Sequence, residues 1–186
     1  MYVCIAANYC FPLLIQQNVN GLGFFNRSWA EFKAGFNDTR GNHWLGNEQL
    51  HQLTKDGRYK LRFDLQARAN LTWYYAEYSF FAVSSEASNY TLQASGYSGN
   101  AGDALKPHSG MMFTTYDRDN DLHLLTSGYD HFIYNCAVLN GGGFWYYACG
   151  RCSVNGIRGR GDNFRWSSET ENRLLQSSRM WLTCYT

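Results

Sequence analysis

Hydrophobic and polar residues alternate most regularly in the first half of the chain. Residues 59–65 alternate at every position, which is the period of a strand with one buried face. Residues 73–83 are rich in aromatic side chains and long enough for a second strand. Residues 90–94 predict a third strand, with a turn at Gly96.

Two short helices are predicted ahead of these strands. The first covers residues 28–36, where Ser28 is the expected N-cap and Glu31 has the spacing of a capping box. The second covers residues 48–55, with Asn47 as its expected N-cap. Helices followed by a run of antiparallel strands indicate an α+β domain.

The second half of the chain is different, because periodicity fades beyond Gly99 and Gly, Asn, Asp and Ser predominate. A long irregular region in a compact domain is usually either disordered or functional, and the many aromatic residues argue against disorder. Such a backbone needs other supports, which a disulfide or a bound metal can supply.

Composition narrows the class of protein. The 186 residues fit one domain. Charged residues make up 17% of the chain, the net charge is +1, and no basic block occurs that would favour binding to nucleic acid or to an anionic membrane surface. No apolar stretch is long enough to cross a bilayer, so no membrane insertion is expected.

The cysteines and glycosylation sequons favour the secretory route. Six cysteines are an even number, and the single CxxC, Cys149–Cys152, lacks the strand-to-helix setting of a redox motif. Residues 1–17 lack the basic start of a secretion signal, so either a leader lies upstream or the start of the chain is mis-assigned. The four sequons begin at Asn26, Asn37, Asn70 and Asn89.

Three carboxylates occupy alternate positions at Asp117, Asp119 and Asp121. In an extended or looped backbone they can converge on a hard cation such as calcium, although the spacing excludes an EF-hand. The alternative is a solvated acidic turn, with Arg118 offsetting some of the charge. A cluster this tight suits a cation better than the divided acid and base of a glycosidase, so we expect a binding module and no enzyme.

Residues Arg160, Gly161 and Asp162 form an integrin-type RGD tripeptide in a glycine-rich stretch. Its Asp could complete an integrin metal site while its Arg meets an acidic pocket. A chance tripeptide in a turn is the favoured interpretation, and integrin adhesion stays an alternative.

Several segments together resemble the fibrinogen-related domain, the C-terminal globe of fibrinogen chains, ficolins, tachylectins, tenascins and angiopoietins. They occur in family order, and the most specific is EASNYTLQASGYSGNAGDAL at 86–105. The others are WAEFKAGF (29–36), WLGNEQLHQLT (44–54), YKLRFDL (59–65), HSGMMFTTYDRDND (108–121), NCAV (135–138) and GGFWYYAC (142–149).

The resemblance implies a fibrinogen C-terminal globular fold with a central antiparallel sheet and a loop-rich calcium-binding subdomain. It implies one domain over 1–186 that lacks the family's N-terminal strands. Within it, 1–22 would be a divergent remnant of the N-terminal subdomain, 23–105 the central sheet subdomain and 106–186 the calcium- and ligand-binding subdomain.

By position, the resemblance also implies the site residues. Asp119 and Asp121 match side-chain calcium ligands, whereas Asp117 matches a flanking acid. Simple counting gives the backbone carbonyls of His123 and Leu125 as further ligands. The implied disulfide joins Cys136 to Cys149, and a cis peptide is implied at Ala148–Cys149. The implied ligand pocket comprises Asn140, Tyr146, Tyr147, Ala148, Cys149 and Gly150.

The chain departs from the lectin-type members at the pocket. Gly150 stands where a His is usual, Asn140 replaces an aromatic residue, the loop 122–134 is longer, and the tail 157–186 is short. The predicted function is a secreted, calcium-dependent, lectin-like module for acetylated glycans. The alternative is a matrix or signalling domain that binds a cell-surface or matrix protein. Homo-oligomers could form through a stalk that this chain lacks.

Overall fold

The computed structural model describes residues 11–127, 130–159, 161–169 and 172–184. Among these residues, no helix combines the length and the apolar character that crossing a membrane requires. The helices are α1 (Trp29–Ala34), α2 (Asn47–Thr54) and α3 (Cys136–Asn140). The strands are β1 (Leu13–Asn18), β2 (Phe36–Asn37), β3 (His43–Trp44), β4 (Tyr59–Ala67), β5 (Trp73–Val83), β6 (Leu92–Gly99), β7 (Leu124–Ser127), β8 (Asp130–Ile133), β9 (Cys152–Ser153), β10 (Arg165–Ser167) and β11 (Asn172–Cys184).

The two predicted N-terminal helices are present, but only one begins as expected. Ser28 caps α1 through the predicted capping box, since its backbone N donates to Glu31 Oε2 at 2.9 Å and its hydroxyl accepts from the Glu31 backbone N. The prediction of Asn47 as a cap was wrong. Gly46 is the N-cap of α2, and buried Asn47 instead accepts a hydrogen bond from Trp44 Nε1.

The central sheet has the order β2-β3-β1-β11-β4-β5-β6. Its strands are antiparallel, which confirms the predicted central antiparallel sheet of an α+β fold. β5 has the predicted bounds, and β4 extends the predicted strand by two residues. The predicted turn at Gly96 was wrong, because Gly96 lies inside β6. An added Cβ there would lie 1.9 Å from Ser79 Oγ, so the close approach to β5 requires glycine.

The C-terminal strand β11 lies at the centre of this sheet, between β1 and β4. The sequence pattern did not predict it. A bulge between Leu175 and Ser177 shifts the register, so Ser177 and Ser178 are both buried and the alternation is interrupted. The tail that follows the loop-rich region therefore returns to the sheet formed by the first half of the chain.

An aromatic cluster joins the sheet to the loop-rich region. It consists of Phe32 from α1, Trp44 from β3, and Phe113 and Trp145 from irregular segments, all fully buried. Ring centroids lie 5.0 Å apart for Phe32 and Phe113 and 5.1 Å apart for Phe113 and Trp145. Because buried aromatic pairs contribute packing energy beyond their area, this cluster holds the two regions in one core.

Candidate functional site

The acidic segment, residues 117–121, contains three carboxylates that lie in two different environments. Asp117 Oδ1 accepts hydrogen bonds from the Trp29 backbone N at 2.9 Å and from Thr115 Oγ1 at 2.7 Å. Asp117 therefore fastens the segment to the first residue of α1, where a negative charge is favourable.

Asp119 and Asp121 form the remaining pair. Partial burial, followed by the negative charge of Asp119, raises the pKa of Asp121 above its ordinary value. Arg118 does not neutralise the pair, because its Nη2 donates to Asn89 and its guanidinium lies 4.0 Å from the centre of the Trp29 ring. Two adjacent carboxylates without this counterion fit the oxygen-rich, anionic donor set that calcium prefers.

Asp121 connects the acidic segment to the loop closed by a disulfide. Its Oδ1 accepts from the His123 backbone N at 2.8 Å, and its Oδ2 accepts from the Cys136 backbone N at 2.7 Å. A second connection runs from the Leu122 backbone N to the Tyr147 carbonyl at 2.8 Å. Asp121 is therefore bonded to the beginning of α3, and its neighbour Leu122 is bonded to the segment around Tyr147.

A disulfide joins Cys136 to Cys149, with a Cα–Cα distance of 4.9 Å. Between them, α3 is capped by Asn135, whose Oδ1 accepts from the Ala137 backbone N at 2.8 Å. The Asn135 Nδ2 also donates to the Thr115 carbonyl at 2.8 Å. One asparagine thus holds both the helix start and the acidic segment.

Two residues of the predicted ligand pocket, Asn140 and Tyr146, are core residues. Asn140 is 1% exposed, and its Nδ2 donates to the Cys136 carbonyl at 2.8 Å. Tyr146 is fully buried, and its hydroxyl donates to the Gly142 carbonyl at 2.7 Å. Both side chains satisfy buried backbone carbonyls, which a ligand would have to displace.

Tyr147 and Ala148 are exposed and remain available for contacts, whereas Cys149 and Gly150 are partly buried. The prediction of a cis peptide at Ala148–Cys149 was wrong, because the described residues contain no cis peptide bond. Positive φ angles of 55° at Cys149 and 49° at Gly150 form the turn instead.

A buried histidine occupies the space beside Gly150. An added Cβ at Gly150 would lie 2.1 Å from His108 Cε1. The His108 Nδ1 lies 2.7 Å from the Trp145 carbonyl, so it must be the protonated nitrogen, and Nε2 accepts from the Arg151 backbone N at 3.1 Å. Burial lowers the pKa of His108 to about 4, which keeps the ring neutral.

Sequence reasoning gave His108 no role. The residue was visible only as the first position of a family-like segment, and nothing in its neighbours indicates that it supports the loop after the disulfide. The pairing of His108 with Gly150 depends on a contact between positions 42 apart in the chain.

The two residues predicted to offer backbone carbonyls, His123 and Leu125, lie two and four positions after Asp121. Leu125 lies in β7, which pairs with β8 to make a hairpin within the long loop 122–134. The His123 Nδ1 is buried without a hydrogen-bond partner among the described residues. It lies near Cys136 and Cys149, but their sulfurs are in a disulfide and cannot act as thiolate ligands.

The comparisons with known proteins agree with this architecture. Residues 5–181 match the family described as "Fibrinogen beta and gamma chains, C-terminal globular domain". The chain belongs to this fibrinogen C-terminal family.

Relatives and solved structures support the assignment. Mouse microfibril-associated glycoprotein 4 is 40% identical over 149 residues, 77% of this chain and 54% of that protein. Human angiopoietin-4 is 37% identical over 91% of this chain and 33% of that protein. This fibrinogen C-terminal domain therefore spans about half the length of the first relative and about a third of the second.

The fibrinogen-like globe domain of human ANGPTL2 superposes with a TM-score of 0.76 at 33% identity, covering 92% of this chain and 79% of that one. The lamprey fibrin D-dimer, solved with the peptide Gly-His-Arg-Pro-amide, superposes with a TM-score of 0.78 at 28% identity. That match covers 97% of this chain and 63% of the lamprey chain. The fold predicted for the family is thereby confirmed.

The RGD tripeptide is only partly described in this fibrinogen C-terminal domain, because Arg160 lies outside the described residues. Gly161 is exposed, whereas Asp162 forms an ion pair with Arg68 at 2.9 Å. The hydrogen bond and charge of Arg68 lower the pKa of Asp162. Asp162 is therefore already engaged by a cation of its own chain.

The remaining cysteines have different environments. Cys152 is a buried free thiol, and burial raises its pKa well above the ordinary value, so the CxxC spacing does not make a redox pair. Cys184 is disulfide-bonded. Cys4 and Cys10 lie outside the described residues.

Proposed function

We propose that this chain is an extracellular, calcium-organised recognition domain that binds a protein or peptide ligand and is not an enzyme. The observation that carries the proposal is the pair of hydrogen bonds from the acidic segment to the disulfide loop, at Asp121–Cys136 and Leu122–Tyr147. Through these bonds, an ion held by the acidic segment would control the shape of an exposed surface.

Calcium is the ion that suits this site. The carboxylates of Asp119 and Asp121 would hold it, together with the backbone carbonyls of His123 and Leu125. When bound, calcium would supply positive charge that offsets both the partial burial of the Asp121 carboxylate and its repulsion by Asp119, the two causes that raise the pKa of Asp121. Removing that repulsion would stabilise the segment that positions Tyr147.

A protein or peptide ligand is favoured over an acetylated glycan. Asn140 and Tyr146, two of the residues predicted to line a sugar pocket, are buried and hydrogen-bonded to backbone carbonyls. Large exposed apolar side chains recur instead in the segment between residues 116 and 147, as expected of a surface for a macromolecule. They are Tyr116, Leu122, Tyr134, Val138, Leu139 and Tyr147.

The relatives support the same proposal. The lamprey fibrin relative was solved with a peptide ligand, and one curated relative is named for its association with microfibrils. An extracellular location is consistent with that name and with the disulfide-bonded cysteines.

The calcium part is tested by thermal unfolding and by calorimetric titration with Ca²⁺. A ligand that binds only the folded state must raise the melting temperature. We expect Ca²⁺ to stabilise the wild type and the control Asp56→Asn, an exposed acid outside the site, but neither Asp119→Asn nor Asp121→Asn. Equal responses in all four proteins, or no heat of binding in the wild type, would contradict a calcium site here.

The ligand part is tested by selecting a displayed peptide library on the chain in Ca²⁺ and by probing an acetylated-glycan array in parallel. We expect selected peptides to be released by a chelator and lost in Tyr147→Ala. They should be retained in Trp73→Ala, which removes an exposed aromatic ring from the sheet instead. If no peptide is selected and acetylated glycans bind in a way that requires Tyr147, the proposed protein ligand is wrong and the ligand is a sugar.

A further inference from the structure

The four glycosylation sequons differ sharply in their structural surroundings. Because an N-linked glycan is bulky and hydrophilic, the folded domain tolerates it only where the Asn amide reaches solvent without breaking native contacts. We propose that Asn70 carries an N-linked glycan and that Asn89 does not. This assignment rests on the extracellular location proposed above.

Asn70 lies in the turn between β4 and β5, and Asn70, Leu71 and Thr72 are all exposed. The Asn70 Oδ1 accepts a hydrogen bond from the Thr72 backbone N at 3.1 Å, which orients the amide toward its own sequon. In the part of the chain that the structure describes, no group accepts a hydrogen bond from Asn70 Nδ2. Attaching a sugar to that nitrogen therefore breaks no native hydrogen bond.

The modification itself uses a donor that the secretory pathway supplies. The Asn70 Nδ2 would attack the anomeric carbon of a lipid-diphosphate-linked oligosaccharide and form a C–N bond. The bond from that carbon to the diphosphate oxygen breaks, the lipid diphosphate leaves with the electron pair, and Nδ2 gives up one proton. No oxidant or reductant is needed.

The surroundings of Asn70 also suit a sugar. Leu71 is 58% exposed and Trp73 is 41% exposed, so an apolar surface lies beside the acceptor. The first sugar residues can cover part of this surface, since pyranose rings pack on aromatic and aliphatic side chains. The glycan would thereby shield the apolar side chains of this turn from water and present a hydrophilic surface instead.

Asn89 is in the opposite situation. Its Oδ1 accepts from Arg118 Nη2 at 2.6 Å, and its Nδ2 lies 3.1 Å from the Met112 sulfur. Its carbonyl accepts from the Phe113 backbone N at 2.9 Å, and the next residue, Tyr90, is fully buried. A glycan on Nδ2 would separate Asn89 from the acidic segment and the aromatic cluster.

The contrast is testable on the whole chain, secreted from cultured animal cells behind an added cleavable signal. Asn26→Gln and Asn37→Gln remove the other two exposed sequons, so that electrophoretic mobility reports only Asn70 and Asn89. The protease-resistant protein from cells and medium is then treated with peptide N-glycosidase in H₂¹⁸O. Peptide mass spectrometry locates each converted Asn.

We expect ¹⁸O-labelled Asp at position 70 and unlabelled Asn at position 89. Thr72→Ala should abolish the single glycan shift, Thr72→Ser should restore it, and Thr91→Ala should leave it unchanged. Label at position 89 in protease-resistant protein, or an unmodified Asn70, would overturn the assignment. Because the signal is added, an intracellular location of the natural protein would refute the proposed extracellular role without changing this result.

Discussion

The sheet region, residues 13–105 with β11, and the loop region, residues 106–167, are held together by different means. In the sheet region, neighbouring strands satisfy the backbone and alternate side chains enter the core. In the loop region, where the described helices and strands are short, single polar side chains also satisfy backbone carbonyls outside the regular elements. The Asn120 Nδ2 donates to the Phe113 carbonyl at 2.7 Å, and the Asn155 Nδ2 donates to the Gly143 carbonyl at 2.9 Å.

This difference explains why the candidate site lies in the loop region. A β-ladder gives every residue in a strand nearly the same conformation, whereas side-chain hydrogen bonds allow the backbone to place Asp121, Tyr147 and Gly150 individually. The cost is that each support is irreplaceable, because a buried polar group without its partner is destabilising.

The largest effect is expected in the sheet region. Phe63 is fully buried in β4 and packs on Tyr78 of the neighbouring strand β5, with ring centroids 6.2 Å apart, so Phe63→Ala should lower the free energy of unfolding by about 3–5 kcal/mol. Urea denaturation measures this loss, which should be the same with calcium or chelator. The control Trp73→Ala, on the exposed face of β5, should cost about 1 kcal/mol or less. If the loss of unfolding free energy in Phe63→Ala differs between calcium and chelator, the sheet region is coupled to the calcium site and the two regions are not energetically separate.

The next largest effect concerns the disulfide. Replacing Cys136 and Cys149 by Ala opens a loop with a sequence separation of 13 and should cost about 3 kcal/mol. Hydrogen exchange should accelerate between residues 119 and 150, while the amides of β4 and β5 serve as the internal reference. Uniform acceleration across both regions would mean that the bridge stabilises the whole domain and not the loop region in particular.

A pH dependence is expected from His108. The pKa of His108 falls from 6.5 to about 4 in the folded protein. Between these two pH values the unfolded chain therefore binds a proton at His108 and the folded chain does not. We therefore expect the stability that depends on neutral His108 to be complete above pH about 6.5 and to fall by about 3 kcal/mol as the pH decreases to about 4.

Urea denaturation between pH 7.5 and 4 measures this slope. His108→Gln cannot titrate, and it should be less stable at pH 7.5 but less sensitive to acid. Parallel pH profiles for wild type and variant would assign the acid sensitivity to other groups, such as the carboxylates.

The smallest effect is expected at the RGD tripeptide. The ion pair between Asp162 and Arg68 is partly exposed to solvent, so Arg68→Gln should leave the melting temperature nearly unchanged. Because Arg68 engages Asp162, the wild type and Asp162→Glu should support integrin-dependent cell adhesion equally poorly. Stronger adhesion to the wild type than to Asp162→Glu would establish the tripeptide as a functional motif.

Elements whose signals are local could be predicted from the amino-acid pattern alone. The alternation of residues 59–65 and the capping box at Ser28 depend on neighbours within a few positions, and both were predicted correctly. The family segments were equally readable, because they are preserved as short strings in the right order.

The remaining features depend on contacts between distant parts of the chain. β11 was missed because a bulge at Leu175–Ser177 disturbs its period, and its place between β1 and β4 depends on partners more than 100 positions away. The burial of Tyr146 beside exposed Tyr147 likewise depends on which face the core covers. Local patterns cannot encode these choices, because packing between distant segments sets which polar groups must find partners inside the protein.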